Sequence, residues 1–248
     1  QIRNEVDSPF YHGGLVINQH ASLDPARYHQ ALYERTLASG CHVVDNCRVE
    51  NIVRNADGFN LGTAKGQIQA GKVIIATSGY TGSATPWHQR RIIPIGSYML
   101  ATEMLDPDLA RSLIPNDRVV SDTRKLVVYY RLSPDGHRIL FGARVSYKET
   151  DPISSAGPLR LEMLRIFPQL ADAKITHSWM GFVGYTFDKL PHLGEDNGLF
   201  YAMGYCGSGI CLSSYFGHRL GQQALGIPDA KIPLNGLRFE TRPFYRGN

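Results

Sequence analysis

The chain has 248 residues, 43% of them hydrophobic, with 26 Lys and Arg against 22 Asp and Glu and a formal net charge of +4. That length suits one large domain or two small ones, and the composition suits a packed globular core. The modest charge, with no run of five basic residues, argues against a nucleic-acid protein; no apolar run reaches a membrane span, and nothing at the start reads as a signal peptide.

The first residues are Gln1-Ile2-Arg3 rather than Met, which reads as processing or as a piece of a longer chain. Tyr11-His12-Gly13-Gly14-Leu15 is a turn leading into a short extended piece. Asp24 and Pro25 open a helix, as N-cap and first helical residue, and Gly40 closes it. Leu32 and Leu37 are expected to pack inward, with Tyr28 and Tyr33 alongside. Cys41 to Asn46 and Val49 to Arg54 read as strands or one bent strand. Asp57-Gly58 marks a hairpin, followed by short strands at Phe59–Leu61 and Gln67–Ala70. The apolar run from Lys72 to Thr77 predicts a strand covered on both faces, as in a parallel sheet. It ends in the small residues Ser78 and Gly79.

The middle of the chain changes character. Arg91–Glu103, Val119–Asp122, Val127–Leu132 and Arg138–Arg144 predict an antiparallel sheet, with a hairpin at Ser133-Pro134-Asp135-Gly136. Leu159–Phe167 reads as a short helix stopped by Pro168, and Lys174–Phe182 as a strand. Cys41, Cys47, Cys206 and Cys211 show no C-x-x-C or zinc spacing and read as buried free thiols, which points to a reducing cytoplasm. No metal site is expected.

Near the end, Leu199–Ala202 is a short apolar run. Met203-Gly204-Tyr205-Cys206-Gly207-Ser208-Gly209 follows, and then Ile210–Gly226 with helical spacing. Apolar Ile210, Leu212, Tyr215, Phe216, Leu220 and Leu225 approximate one face, and the helix start is expected inside the protein. A strand, a glycine-rich turn and a helix leave backbone N–H groups aimed forward with the helix dipole behind them, which favours negative charge. Glycines 204, 207 and 209 follow G-x-x-G-x-G, not the dinucleotide fingerprint G-x-G-x-x-G. On these residues alone, a tight connection and a ligand site are both open readings.

Four segments in order resemble the flavin-dependent amine and amino-acid oxidoreductases of the D-amino-acid oxidase superfamily. They are Gly13-Gly14-Leu15 with Leu23–Tyr28; Lys72–Tyr80; Trp179-x-Gly181 with Thr186-x-Asp188-x-x-Pro191-x-x-Gly194; and the last glycine-rich turn with its helix. Tyr129-Tyr130-Arg131, Leu140–Arg144 and Arg242–Tyr245 look most like the gamma-glutamylputrescine oxidoreductase branch. The resemblance implies an α/β and α+β fold. Residues 1–84 and 179–248 would be the remainder of a Rossmann-like FAD-binding domain, and residues 85–178 an antiparallel substrate domain. The family's N-terminal strand, G-x-G-x-x-G and helix are not in this sequence, so the resemblance implies a chain lacking that segment and inactive by itself.

The same resemblance implies roles. The complete protein would pass a hydride from an amine carbon to flavin N5, and the imine would then hydrolyse. Gly207, Ser208, Gly209 and Ile210 would offer N–H groups where charge develops on the flavin, and Gly204 and Gly181 would flank it. Thr77, Ser78 and Gly79 would approach the nucleotide half of FAD, and Val49 its adenine. Tyr98, Tyr130 and Arg131 are substrate candidates; Trp179 is expected in the core and Asp188 as a brace for its loop. Relatives often carry His where Ser208 stands, and Arg-Pro where Val183-Gly184 stands, which tilts the substrate toward an amine. Gly181–Asp188 contains no Cys, so FAD is expected to be non-covalent. A non-catalytic domain that completes a flavin site with a partner chain is the alternative. Oligomeric state is left open.

Overall fold

The computed structural model describes residues 2–144 and 151–247. The chain divides into two compact units, Gln1–Leu32 with Gly96–Gly181, and Tyr33–Ile95 with Phe182–Asn248.

The first unit is built on a five-stranded sheet. Its strands are β5 (Ile93–Thr102), β6 (Val120–Ser121), β7 (Val128–Leu132), β8 (Ile139–Ala143) and β9 (Ile175–Tyr185), in the order β6-β7-β8-β5-β9. The hairpin joining β7 and β8 turns at the expected place, with the Gly136 N–H donating to the Ser133 carbonyl at 2.8 Å. Alternation along β7 buries Val128, Tyr130 and Leu132 and leaves Tyr129 and Arg131 half-buried. One sheet face therefore carries the core, against Leu159, Met163 and Ile166 of helix α4 (Pro152–Ile166). That helix begins earlier than the expected Leu159. Asp151 caps it by accepting the N–H groups of Ile153 and Ser154, both at 3.0 Å, and the helix runs through Pro158. A short helix α3 (Pro107–Leu113), capped by Asp106, buries Ala110 and Leu113 in the same core.

The second unit holds two three-stranded sheets. Strands β1 (Val49–Arg54), β2 (Phe59–Thr63) and β3 (Gly66–Ala70) form an antiparallel meander, and the Asn55 N–H closes its first turn on the Gly58 carbonyl. In the other sheet, β11 (Leu199–Met203) lies between β10 (His192–Asp196), its antiparallel partner, and β4 (Val73–Ile75), with which it runs parallel. Helix α5 (Gly209–Ala224) packs on β11, and α2 (Pro86–Gln89) is a single turn.

Several expectations are corrected. The parallel pairing of β4 holds, but Val73 and Ile75 are buried while Ile74 is 45% exposed, so this short strand is covered on one face. Helix α1 (Pro25–Ala38) starts and stops as expected, with Asp24 accepting the N–H groups of Ala26 and Arg27. It buries none of its residues, and Leu32, Tyr33 and Leu37 are exposed, because apolar spacing predicts a stripe but not what meets it. Residues 41–46 form no strand. In α5, Phe216, Leu220 and Ala224 are buried and Leu212 packs beside them, whereas Ile210, Tyr215 and Leu225 face outward. All four cysteines are free, as expected, but Cys41 and Cys211 are exposed and Cys47 and Cys206 only half-buried.

Candidate functional site at the carboxyl ends of the parallel strands

Strands β4 and β11 run side by side in the same direction, so their carboxyl ends open at one edge. Ligands of open parallel sheets sit outside that edge, because the chains part there and leave a crevice. Both chains turn sharply at this point. After β4, Ser78 takes φ +41° and starts a 3-10 turn, Ser78–Tyr80. After β11, Gly204, Cys206 and Gly207 take φ values of +78°, +51° and +102° before α5 begins.

Phe182 and Gly184, the part of β9 that belongs to the second unit, close the same junction. A Cβ on Gly79 would lie 2.7 Å from the Phe182 carbonyl oxygen, and one on Gly184 would lie 2.9 Å from the Gly79 nitrogen. Two backbones touch here, and only glycine at both positions permits it. Hydrogen bonds complete the junction. The Phe182 N–H donates to the Tyr80 hydroxyl at 3.1 Å, the Cys206 N–H to the Gly184 carbonyl at 3.1 Å, and the Gly204 N–H to Ser78 Oγ at 3.5 Å. Gly204 is required twice over, by its positive φ and by Thr186, whose Cγ2 would lie 2.3 Å from a Cβ.

The mouth of α5 offers donors. Ser208 is the N-cap, but its side chain caps nothing, and the first helical bond runs from the Leu212 N–H to the Ser208 carbonyl. Of the four N–H groups expected to point forward, that of Ser208 is spent on the Tyr205 carbonyl at 3.0 Å. Those of Gly207, Gly209 and Ile210 have no acceptor among the described residues. A Cβ on Gly207 or Gly209 would meet nothing within 4 Å, so the chain leaves room beside both residues. At the far end, Lys72 Nζ donates to the Ala224 carbonyl, a cation where the helix dipole is negative. The arrangement favours an anionic or electron-rich group at the mouth.

Asp188 braces its loop as expected. Burial raises its pKa, but the Leu190 N–H and the His192 ring, 3.0 Å away, outweigh it and hold the carboxyl below its usual range. Deeper in this unit His88 is 1% exposed, with both ring nitrogens unpartnered among the rings of Trp87 and Tyr201. Burial, helped by the Arg91 cation, pushes its pKa down to about 4.

The other expected site residues are scattered. Thr77 is exposed and bonds Thr81 at 2.7 Å; Gly181 is half-buried in β9; Val49 opens β1 in the meander, opposite Thr63. Tyr98 and Tyr130, read as substrate candidates, are 0% and 2% exposed. They lie on the core face of the five-stranded sheet, where Tyr130 stacks on Phe141 with centroids 5.8 Å apart. Arg131 is on the other face, but its guanidinium donates to the Leu23 and Leu132 carbonyls at 2.8 and 3.0 Å. Trp179, expected in the core, is 40% exposed. Sequence reading missed Gly184 and Tyr80 as parts of the junction; their signal was the Gly181-x-x-Gly184 spacing and the aromatic after Ser78-Gly79. Among the described residues no group of three His, Cys, Asp or Glu is placed to hold a metal ion.

The family described as "DAO: FAD dependent oxidoreductase" matches residues 2–223. Gamma-glutamylputrescine oxidoreductase of Escherichia coli is 33% identical over 227 residues, covering 91% of this chain and 53% of that protein. A probable oxidoreductase OrdL of Rhizobium meliloti is 30% identical over 248 residues, covering 96% of this chain and 57% of the relative. The chain thus spans about half the length of the curated relatives it matches. Among solved structures, glycine oxidase from Geobacillus kaustophilus superposes with a TM-score of 0.69 at 22% identity, over 86% of this chain and 56% of that one. L-proline dehydrogenase from P. horikoshii does so with 0.67 at 19%, over 85% and 57%.

Proposed function

The chain belongs to the family of FAD-dependent oxidoreductases, DAO, and from that membership we propose that it is the C-terminal portion of a flavoprotein that oxidises an amine or amino-acid-like substrate. The observation that carries the proposal is the mouth of α5. Unspent N–H groups at Gly207, Gly209 and Ile210 lie at the carboxyl ends of β4 and β11, with room beside both glycines.

These residues fit a flavin. When bound, it would supply the hydride acceptor, its N5 taking a hydride from the amine carbon. Gly207, Gly209 and Ile210 would hold the ring edge that becomes negative, and the dipole of α5 adds to them. Ser78 and Gly79, locked against Gly184 and Gly204, would leave backbone rather than side chain near the cofactor. Gly181–Asp188 contains no Cys, which supports a non-covalent flavin. The missing partner of this reading is a dinucleotide-binding segment N-terminal to the chain, and a cover for Ile74 and for the outward residues of α5 is consistent with it. Four free thiols suit a reducing, cytoplasmic compartment. No helix among the described residues is long and apolar enough to cross a membrane.

Gly209→Val in the full-length protein tests the assignment. A Cβ there meets nothing in the chain, so the fold should survive, with an unchanged circular dichroism spectrum. Flavin content or flavin reduction should fall at least tenfold, because the side chain enters the space assigned to the ring. A folded variant with wild-type flavin content and turnover would rule the assignment out.

A further inference from the structure

Within the second unit, the loop that follows β9 is held by residues 239–245, a segment without helix or strand. That segment lies outside residues 2–223, the range of the family match. Thr186 opens the loop, is buried, and touches the turn before α5 at two places. Its Cγ2 leaves no room for a Cβ on Gly204, and its Oγ1 lies 3.6 Å from Cys206 Sγ. Residues 188–190 are exposed, so the loop is fixed by its two ends. Both ends meet the segment. Phe187 has the Tyr245 ring edge-on, with centroids 5.5 Å apart, and the Arg242 guanidinium 5.2 Å from its own ring centre. His192, also buried, stacks on Phe239 with centroids 4.1 Å apart. The segment is anchored in turn to residues 90–92. Arg91 Nε donates to the Phe239 carbonyl at 2.9 Å, and Thr241 Oγ1 to the Arg90 carbonyl at 2.7 Å. The Tyr245 hydroxyl donates to the Ile92 carbonyl, also at 2.7 Å.

We propose that Phe239, Arg242 and Tyr245 are positioning residues for the turn before α5. They press the loop onto Gly204 and Cys206, and the turn carries that placement forward to the N–H groups of Gly207, Gly209 and Ile210. The inference rests on the flavin reading for what those groups meet; the mechanical link from segment to turn does not depend on it. The turn needs outside support. Cys206 has φ +51°, a conformation that a residue with a side chain holds only where its surroundings over-determine it. Its N–H is tied to the Gly184 carbonyl and its thiol to the Gly204 carbonyl at 3.3 Å, and Thr186 stands against it from the loop. Donors aimed at a developing charge act through their direction. A turn free to relax would lose most against the electron-rich reduced flavin and least against the oxidised one.

The test uses the full-length flavoprotein carrying Arg242→Gln or Tyr245→Leu, with amide exchange and the flavin reduction potential as readouts. Arg242 is half-exposed, so its replacement spares the fold. Exchange should speed about threefold or more at Lys189 and Leu190 in the loop and, to a like extent, at Cys206 and Ser208 in the turn, with residues 49–70 unchanged. Arg242→Lys should behave as wild type, because a cation still covers Phe187. Affinity for reduced FAD should fall roughly three- to tenfold and for oxidised FAD less than about twofold, which lowers the potential. Faster exchange confined to the loop, no change at either place, or acceleration through residues 49–70 as well would overturn the proposal and leave the flavin reading intact. Coupled exchange with an unchanged potential would overturn it too. A full-length protein that holds no flavin would overturn the flavin reading alone, because exchange decides the link from segment to turn without it.

Discussion

A buried histidine without partners is a pH-dependent weakness. His88 is neutral in the fold down to pH about 4, whereas in the unfolded chain it takes up a proton near 6.5. Below 6.5 the unfolded state therefore binds the proton that the folded state refuses. The sign follows: stability is unaffected above pH 6.5, falls as pH drops from 6.5 toward 4, and loses nothing more from this group below that. The ceiling on the loss is about 3 kcal/mol. His88→Leu should flatten the dependence of the urea midpoint on pH across that window. An unchanged slope would show that the ring is solvated or partnered in solution.

At the scale of elements, capping and burial separate cleanly. Helix α1 has a full N-cap at Asp24 and a glycine stop at Gly40, both legible in the chain, and yet it buries nothing. Asp24→Ala should cost the helix about 1 kcal/mol. Because α1 buries none of its residues, that loss should appear as faster amide exchange in residues 26–38 with little change in the global unfolding midpoint. A midpoint shift as large as the local one would show that α1 is held by packing in solution. In α5 the sequence indicated a stripe through Ile210, Leu212, Tyr215, Phe216, Leu220 and Leu225. The structure packs Leu212, Phe216 and Leu220 of that stripe against β11 and its neighbours and leaves Ile210, Tyr215 and Leu225 outward. Spacing at 3.6 residues allows both faces in so apolar a helix, and only the sheet beneath selects one.

At the scale of the molecule, each unit carries its own core. One lies between the five-stranded sheet and α3 and α4; the other unit has one cluster around Phe59, Tyr201 and Phe239 and another under α5. The donors at the mouth of α5 belong to the second unit, and on the proposed reading they would meet one edge of a flavin and not a dinucleotide. The 248-residue chain alone should therefore bind FAD weakly or not at all in a fluorescence titration. The full-length protein should bind it one to one and release it on denaturation. Tight stoichiometric binding by the 248-residue chain would contradict the division of labour proposed for it. Peroxide released on turnover would mark an oxidase, and its absence a dehydrogenase.

Local chemistry written in the chain was enough for much of this. Asp24 and Gly40, the Asp57-Gly58 and Asp135-Gly136 turns, the alternation of β7 and the glycines before α5 each act on neighbours a few residues away, so the linear order determined them. What lay beyond reach was which of two faces is covered. Tyr129 and Tyr130 are adjacent and equally able to bind a ligand, and a one-residue step decides which enters the core. The same holds for Gly79 and Gly184, more than a hundred residues apart in sequence. Their need for glycine arises only because two backbones are pressed together by the tertiary fold.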